Sequence, residues 1–214
     1  MYSCKELAII IPTKDRPVQV KRHLQSLVDQ NCRLGSVIVV ASGQDIKNIV
    51  LGFSDSLPVE YYYSEPGQIR QRNLGISKLD KKVKLVASMD DDITYESDAI
   101  NLMISFWNTA TTHNTAGVGF NIIETRGHRY NWFKGLFGFD SKEKGIVLNN
   151  GSNLSLRNID QTIFPQYLNG GSTVWKKSIL KKFLHQSFST RVAYNEDVIY
   201  SYPIWKKGYE MIVY

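Results

Sequence analysis

Short hydrophobic runs alternate along this chain with segments in which apolar residues recur every three or four positions. Brief apolar runs bounded by turn residues predict buried strands, and the longer period predicts amphipathic helices. The first strand covers 7–12 and leaves through Pro-Thr-Lys-Asp-Arg-Pro. Pro17 suits the first turn of a helix, where its missing N–H costs nothing; Val20, Leu24, Leu27 and Val28 extend that helix over 17–31. Val-Ile-Val-Val within 36–41 makes a second strand, and Ser42-Gly43-Gln44-Asp45 reads as a turn and helix start. A third strand covers 59–63. Glu65-Pro66-Gly67 then breaks the chain before a helix over 68–77 that carries Arg70, Arg72 and Asn73, and the apolar run 83–89 forms the next strand. A helix over 97–112 follows, with Ile100, Ile104 and Trp107 on one face. Strand and helix repeated in this order predict an α/β layered architecture around a mostly parallel sheet.

The texture changes after residue 117. A strand is expected over 117–124, and 125–146 is then dense in Gly, basic and aromatic residues, among them Arg126, His128, Arg129, Tyr130, Trp132, Phe133, Lys134, Phe137 and Phe139. Three readings stand side by side for this stretch. It stacks on and contacts a nucleic acid, it faces a membrane or an acceptor, or its rings fold back into the core. Two short strands are expected within 147–173. Gly170-Gly171-Ser172 precedes Thr173-Val174-Trp175 and a short helix over 176–184; adjacent glycines allow a close backbone approach to a ligand, and ordinary turn chemistry explains them equally. Asn195-Glu196-Asp197 opens a helix that ends near Gly208, with Asn as cap and acids in the first turn. Pro203 should kink that helix. A last strand covers 209–214.

The bulk numbers narrow the class of partner. At 214 residues the chain is long enough for one large domain or two small ones with a sizeable core, and 43% hydrophobic with 12% aromatic residues is an ordinary globular composition. A formal charge of +6 and a pI near 9.2 favour an anionic partner: nucleotide phosphate, nucleic acid or an acidic membrane surface. The basic residues are spread along the chain, so this is a weak pointer. Cys4 and Cys32 have neither a metal-ligand spacing nor a disulfide framework, which reads as free thiols in a reducing cytoplasm. No stretch approaches the roughly 20 apolar residues a membrane helix needs. The expectation is a cytoplasmic protein, at most peripheral at the inner face of the membrane.

The chemistry concentrates where the run 83–89 ends in Asp90, Asp91 and Asp92. Neighbouring carboxylates repel one another and raise their own pKa values. A divalent cation removes that cost, because hard cations take oxygen ligands and share them with substrate phosphates. The position also fits, since ligands of open α/β sheets bind outside the carboxyl ends of the strands. A polar turn or the cap of the next helix is the plain alternative.

Four motifs in order give a closer likeness. They are Ile-Ile-Ile-Pro-Thr-Lys-Asp-Arg at 9–16; Gly67 with Arg70, Arg72-Asn73 and Gly75; Met89-Asp90-Asp91-Asp92; and Gly170-Gly171-Ser172 followed by Asn195-Glu196-Asp197 and Lys207-Gly208-Tyr209. Together, over nearly the whole chain, they resemble the family 2 glycosyltransferases, which use nucleotide-sugar donors. That resemblance implies a GT-A (Rossmann-like) three-layer sandwich, with a mostly parallel central sheet and a smaller, mixed acceptor-side sheet. It implies one catalytic domain over 1–214, with 1–95 as the nucleotide-sugar half and 96–214 as the acceptor-binding and catalytic half.

Position by position, the resemblance gives Pro12, Thr13 and Asp15 to the nucleobase and ribose, and Arg72 to the diphosphate or base, with Asn73 beside it. Asp90 and Asp91 belong to the donor site, and Asp92, with Asp90, holds Mn²⁺ or Mg²⁺. Asp197 becomes the general base, with Glu196 orienting the acceptor. Gly170, Gly171, Ser172 and Trp132 lie on the acceptor side. The implied reaction is metal-dependent, inverting transfer of a single sugar from a nucleotide-sugar, a UDP-sugar before others, to a glycan or lipid-linked hydroxyl in surface polysaccharide synthesis. Departures exist. Ala41-Ser42-Gly43 stands where relatives carry acids, with Asp45 as a stand-in; the Gln-X-X-Arg-Trp motif of processive synthases is absent; and many relatives continue beyond the last strand. A nucleotidyltransferase ranks lower, because Pro12 to Pro17 contains no glycine for a phosphate loop. A nucleic-acid module and a catalytically degenerate donor-binding protein remain as alternatives.

Overall fold

A computed structural model describes residues 1–123, 130–154, 156–185 and 195–214. After a 3₁₀ turn (Cys4–Glu6), the elements in chain order are β1 (Leu7–Lys14), α1 (Pro17–Val28), β2 (Ser36–Ser42), α2 (Lys47–Leu51), β3 (Val59–Tyr63), α3 (Gln68–Ser77), β4 (Leu85–Met89) and α4 (Ala99–Thr109). Then come β5 (Thr115–Gly119), α5 (Trp132–Leu136), β6 (Ser172–Lys176), α6 (Lys177–Lys182), α7 (Glu196–Lys206) and β7 (Glu210–Val213). The strands hydrogen-bond in the order β3-β2-β1-β4-β6-β5-β7. The chain divides into two compact units, one of Met1–Thr111 with Val174–Ala193 and one of Thr112–Thr173 with Tyr194–Tyr214.

In the first unit β1 pairs in parallel with β2 on one side and β4 on the other, and β2 pairs in parallel with β3. Their continuous apolar runs follow from burial on both faces: Leu7 to Ile11, Val37 to Ala41 and Leu85 to Ala87 are all buried. Helix α1 packs Val20, His23, Leu24 and Leu27 inward at helical spacing. Helix α3 is different, because its buried face is Ile69, Gln71, Arg72 and Gly75, half of it polar. A Cβ on Gly75 would come within 2.6 Å of Ile10, so the absent side chain lets α3 lie close on β1. The order in which strands are added reverses at β1, with β2 and β3 to one side and β4 to the other. In such sheets the crevice outside the carboxyl ends at the reversal is where ligands bind.

The second unit pairs β5 with β7 in parallel, with a register shift between Thr115 and Gly117. Tyr167 is buried here and its hydroxyl donates to the Leu154 carbonyl at 2.6 Å. The two strands expected within 147–173 are replaced by isolated bridges, Val147 to Asn153 and Ile163 to Val213, before β6 begins at Ser172. Turn-forming residues such as Asn149, Asn150 and Gly151 interrupt the apolar pattern too often for a ladder to extend. The strand expected over 117–124 begins two residues earlier, as β5, and ends already at Gly119, while position 124 lies outside the described residues. Helix α7 runs through Pro203 to Lys206. Among the described residues no helix is long and apolar enough to cross a membrane.

Candidate functional site

At the reversal point the loop after β1 meets the loop after β4. Thr13 Oγ1 donates to Asp91 Oδ2 at 2.6 Å, and Arg16 Nη1 donates to Asp91 Oδ1 at 3.0 Å and to Asp92 Oδ2 at 3.2 Å. Asp91 is buried. With both of its oxygens engaged, this middle carboxylate is a structural clamp between the two strand ends. Its hydrogen bond, ahead of its charge and that of Asp92, raises the pKa of Arg16. The Arg16–Asp92 pair is a surface pair, with side chains 50% and 60% exposed, and such pairs are weak and easily exchanged.

Asp90 is held from the other side. Its Oδ1 accepts from Gln68 Nε2 at 3.0 Å and from the buried Arg72 Nη2 at 3.2 Å. Burial raises the Asp90 carboxyl above the ordinary range; Arg72 opposes this, and the charges of Asp92 and Asp91 add to it. The polar face of α3 is thereby explained: Arg72 supports Asp90, and Gln71 Nε2 donates to the carbonyls of Thr13 and Val40, both at 2.7 Å. Asn73 Nδ2 donates to the His185 carbonyl at 3.1 Å. Pro12 lies buried in β1, paired with Val40.

Two expected donor contacts have structural partners. Asp15, at φ 55°, accepts from the Gln44 backbone N–H at 2.7 Å. Its carboxylate fills the space beside Gly43 (φ 74°), where an added Cβ would fall 2.1 Å from Asp15 Oδ1. Asp45 accepts from the Lys47 N–H at 2.9 Å and from the Tyr61 hydroxyl at 2.8 Å. The Lys47 backbone bond, then Tyr61, lowers the Asp45 pKa.

His23, Arg16, Gln68 and Gln71 were not among the residues singled out from sequence. His23 lies fully buried in α1, Nδ1 is 3.0 Å from the Asp90 carbonyl, and its ring meets Tyr95 edge-on at 5.5 Å. A carbonyl only accepts, so Nδ1 carries the proton. Burial pushes this imidazole down to about 4, against the Asp90 backbone bond and the charge of Asp92. The only sequence signal was a His on the apolar face of a helix, which is no more than a buried polar position. Its folded pKa lies below its unfolded value, so on acidification the unfolded chain takes up the proton first. Stability is therefore full above about 6.5 and declines as pH falls toward about 4. Urea melts at pH 7.5 and 4.5 should show wild type losing about 2–3 kcal/mol more than His23→Gln, which keeps a donor for Asp90 and does not titrate. Equal losses would mean that His23 is not held neutral.

The second unit holds the remaining expected residues. Glu196 and Asp197 occupy the first turn of α7, behind Asn195 at φ 56°. Asp197 Oδ1 accepts from the Val198 N–H at 2.9 Å, and the Ser201 hydroxyl donates to the Asp197 carbonyl while accepting from Leu168 N at 3.1 Å. Tyr167 is pushed up to about 12, by burial first and with Asp197 adding its charge. Gly170 and Gly171 form the turn entering β6, and the Ser172 carbonyl accepts from Phe120 N at 2.9 Å. Trp132 opens α5 and is exposed. Arg126, His128 and Arg129 lie outside the described residues.

The carboxylate triplet has the chemistry for a cation. Among the described residues no group of three or more His, Cys, Asp or Glu is arranged to hold a metal by itself. Magnesium-type sites commonly use one or two carboxylates, with substrate phosphates completing the shell. Asp90 and Asp92 each have one oxygen engaged and one, Oδ2 and Oδ1 respectively, that accepts from no donor among the described residues. These two residues fit such a site, while Asp91 is committed to the fold.

Comparison with known proteins bears on the fold and the family. Among curated proteins none matches the chain by sequence. By structure it is similar to S. aureus TarS 1-349, with a TM-score of 0.65 and 17% identity, over 98% of this chain and 58% of that one. The same protein in complex with UDP-GlcNAc gives 0.64 and 18%, over 98% and 56%. The mannosyltransferase PcManGT from Pyrobaculum calidifontis, in complex with GDP-Man and Mn²⁺, gives 0.65 and 14%, over 100% and 59%. The chain thus spans less than two thirds of the length of these structures, and at such identities the likeness shows the shared GT-A fold. The family described as glycosyl transferase family 2 matches residues 8–183. This chain therefore belongs to glycosyl transferase family 2.

Proposed function

We propose that the chain transfers a single sugar from a nucleoside-diphosphate sugar to an acceptor hydroxyl, with inversion and with a divalent cation. The observation that carries this is the triplet at the reversal point: Asp91 locked by Thr13 and Arg16, Asp90 and Asp92 each with an oxygen to offer. Solved relatives in complex with UDP-GlcNAc and with GDP-Man and Mn²⁺ support the donor class and the cation. When bound, Mn²⁺ or Mg²⁺ neutralises charge on the departing diphosphate. Asp92, with Asp90, holds it, and Arg16 and Arg72 keep the carboxylates in place. Pro12, Thr13 and Asp15 border the nucleoside, and Asn73 stands beside Arg72 on the donor side. The acceptor hydroxyl attacks the anomeric carbon from the face opposite the diphosphate, so configuration inverts. Its proton passes to Asp197, Glu196 orients the acceptor, and Gly170, Gly171, Ser172 and Trp132 lie on the acceptor's side. A glycan or lipid-linked acceptor in surface polysaccharide synthesis is the proposed context.

A thermal-shift panel of UDP-, GDP-, dTDP- and CMP-sugars with and without Mn²⁺ tests the donor site. A ligand confined to the native state adds about 2.7 kcal/mol at a hundred times its dissociation constant. One nucleotide class should stabilise wild type only with Mn²⁺, and Asp92→Ala should lose the shift. Silence across the panel, beside salt-sensitive oligonucleotide binding, would move the assignment to a nucleic-acid module.

A further inference from the structure

Helix α5 is finished at both ends and apolar on the outside. The Asn131 side chain caps it, accepting from Phe133 N at 3.1 Å and Lys134 N at 3.2 Å. At the other end Phe139 N donates to the Lys134 carbonyl at 2.9 Å and Gly138 N to the Gly135 carbonyl at 3.0 Å, with Gly138 at φ 72°. That is the paired closure of a Schellman motif, which favours glycine at this position. Gly135 makes room for Tyr130, whose hydroxyl lies 2.3 Å from where a Cβ would stand. Here Trp132, Phe133, Leu136, Phe137 and Phe139 are 70%, 57%, 72%, 60% and 56% exposed. Phe133 meets Trp132 at 5.9 Å and Phe137 at 5.3 Å, and Leu136 lies one helical turn from Trp132, so the patch is continuous.

The charges within and over the patch, among the described residues, are those of two lysines, with Glu143 exposed beyond them. Lys134 stands within the patch, and Lys142 lies 5.5 Å over the Tyr130 ring. Asp140 is buried, accepting from Asn131 N and Ser141 N, both at 2.8 Å, and so withdraws its charge from the surface. Exposed Trp, Phe and Leu with interspersed Lys is the composition that inserts at a bilayer interface beside anionic headgroups. A nucleic acid would use the rings and the lysines but leave Leu136 unsatisfied, and a second copy of this chain would have to bring like charges together.

We infer that residues 130–139 dock on an anionic membrane surface, with Trp132, Phe133, Leu136 and Phe137 entering the headgroup boundary and Lys134 and Lys142 meeting lipid phosphates. This inference does not rest on the donor site. The test uses the full chain with vesicles of phosphatidylcholine alone or with added phosphatidylglycerol, read by flotation and by Trp emission. Wild type should float with the anionic vesicles, more weakly as salt rises, with a blue shift that Trp132→Phe removes. Phe133→Ser/Leu136→Ser/Phe137→Ser should bind at least tenfold more weakly while keeping the melting temperature and any nucleotide-sugar shift of wild type. Lys134→Glu should weaken binding only to anionic vesicles. Three results would overturn the inference: no flotation of wild type, equal flotation of the triple variant, or an exposed patch accounted for by self-association or oligonucleotide binding that the triple variant abolishes.

Discussion

Asparagine in place of Asp197 is expected to lower turnover by about 10²–10⁴-fold, the usual contribution of a positioned general base, and to leave donor binding as it was. The reason lies in where α7 puts this residue. Asp197 is in the first turn, its backbone carbonyl is held by Ser201, and Ser201 is in turn held by the Leu168 N–H. The backbone here is thus held by bonds that asparagine leaves intact, and its amide oxygen can still accept from the Val198 N–H, while the capacity to take a proton is lost. Nucleotide release from whichever nucleotide-sugar stabilises the protein gives the rate, and the thermal shift gives donor affinity. A variant within about threefold of wild type in rate would remove Asp197 from the mechanism, whereas loss of the donor shift would point to a folding defect.

A second large effect is expected from Gln71→Leu, this time on stability. The Gln71 amide is buried and serves two carbonyls, those of Thr13 and Val40, at 2.7 Å each. Leucine fills much the same space and leaves both acceptors without that donor. A buried polar group deprived of its partner costs about 1–3 kcal/mol, so the variant should lose about 2–4 kcal/mol. For a domain of this size that is a fall in melting temperature of roughly 5–15 °C. Gln71→Glu sharpens the test, because a carboxylate facing two carbonyls is favourable only when protonated. Its pKa in the folded state would be raised, so its stability should fall as pH rises from 5 to 8. A Glu variant as stable as wild type at pH 8 would show that the amide does not donate to both carbonyls.

Much of this was legible in the chain itself. The third strand, 59–63, and the helix over 68–77 fall where the sequence placed them, because the Glu65-Pro66-Gly67 break separates a β-branched and aromatic run from the segment that follows. The carboxylate triplet was visible as chemistry at a strand end. Hidden were the residues that hold it. Arg16 and Gln68 are polar residues at loop and helix starts, and His23 and Gln71 sit on helix faces where pattern alone expects core. Their partners lie 22 to 76 positions away in sequence, so only the parallel pairing of β1 with β2 and β4 brings them together. The region 147–173 departs from expectation because the bridges there stay isolated and do not extend into ladders. Helix α5 is hidden in the sequence because it is only five residues long, too short for a helical period to show.

The loop carrying Gly43 constrains how this sequence can change. The resemblance to family members expects an acid after the second strand, and this chain has none at 41–43. The Asp15 carboxylate, arriving from the first loop, occupies the space a side chain at 43 would need. The two positions are therefore epistatic. An acid introduced at 43 collides with Asp15 and strains a left-handed backbone, and deleting Asp15 alone removes the acceptor for Gln44. Moving the acid from one loop to the other therefore requires both changes together.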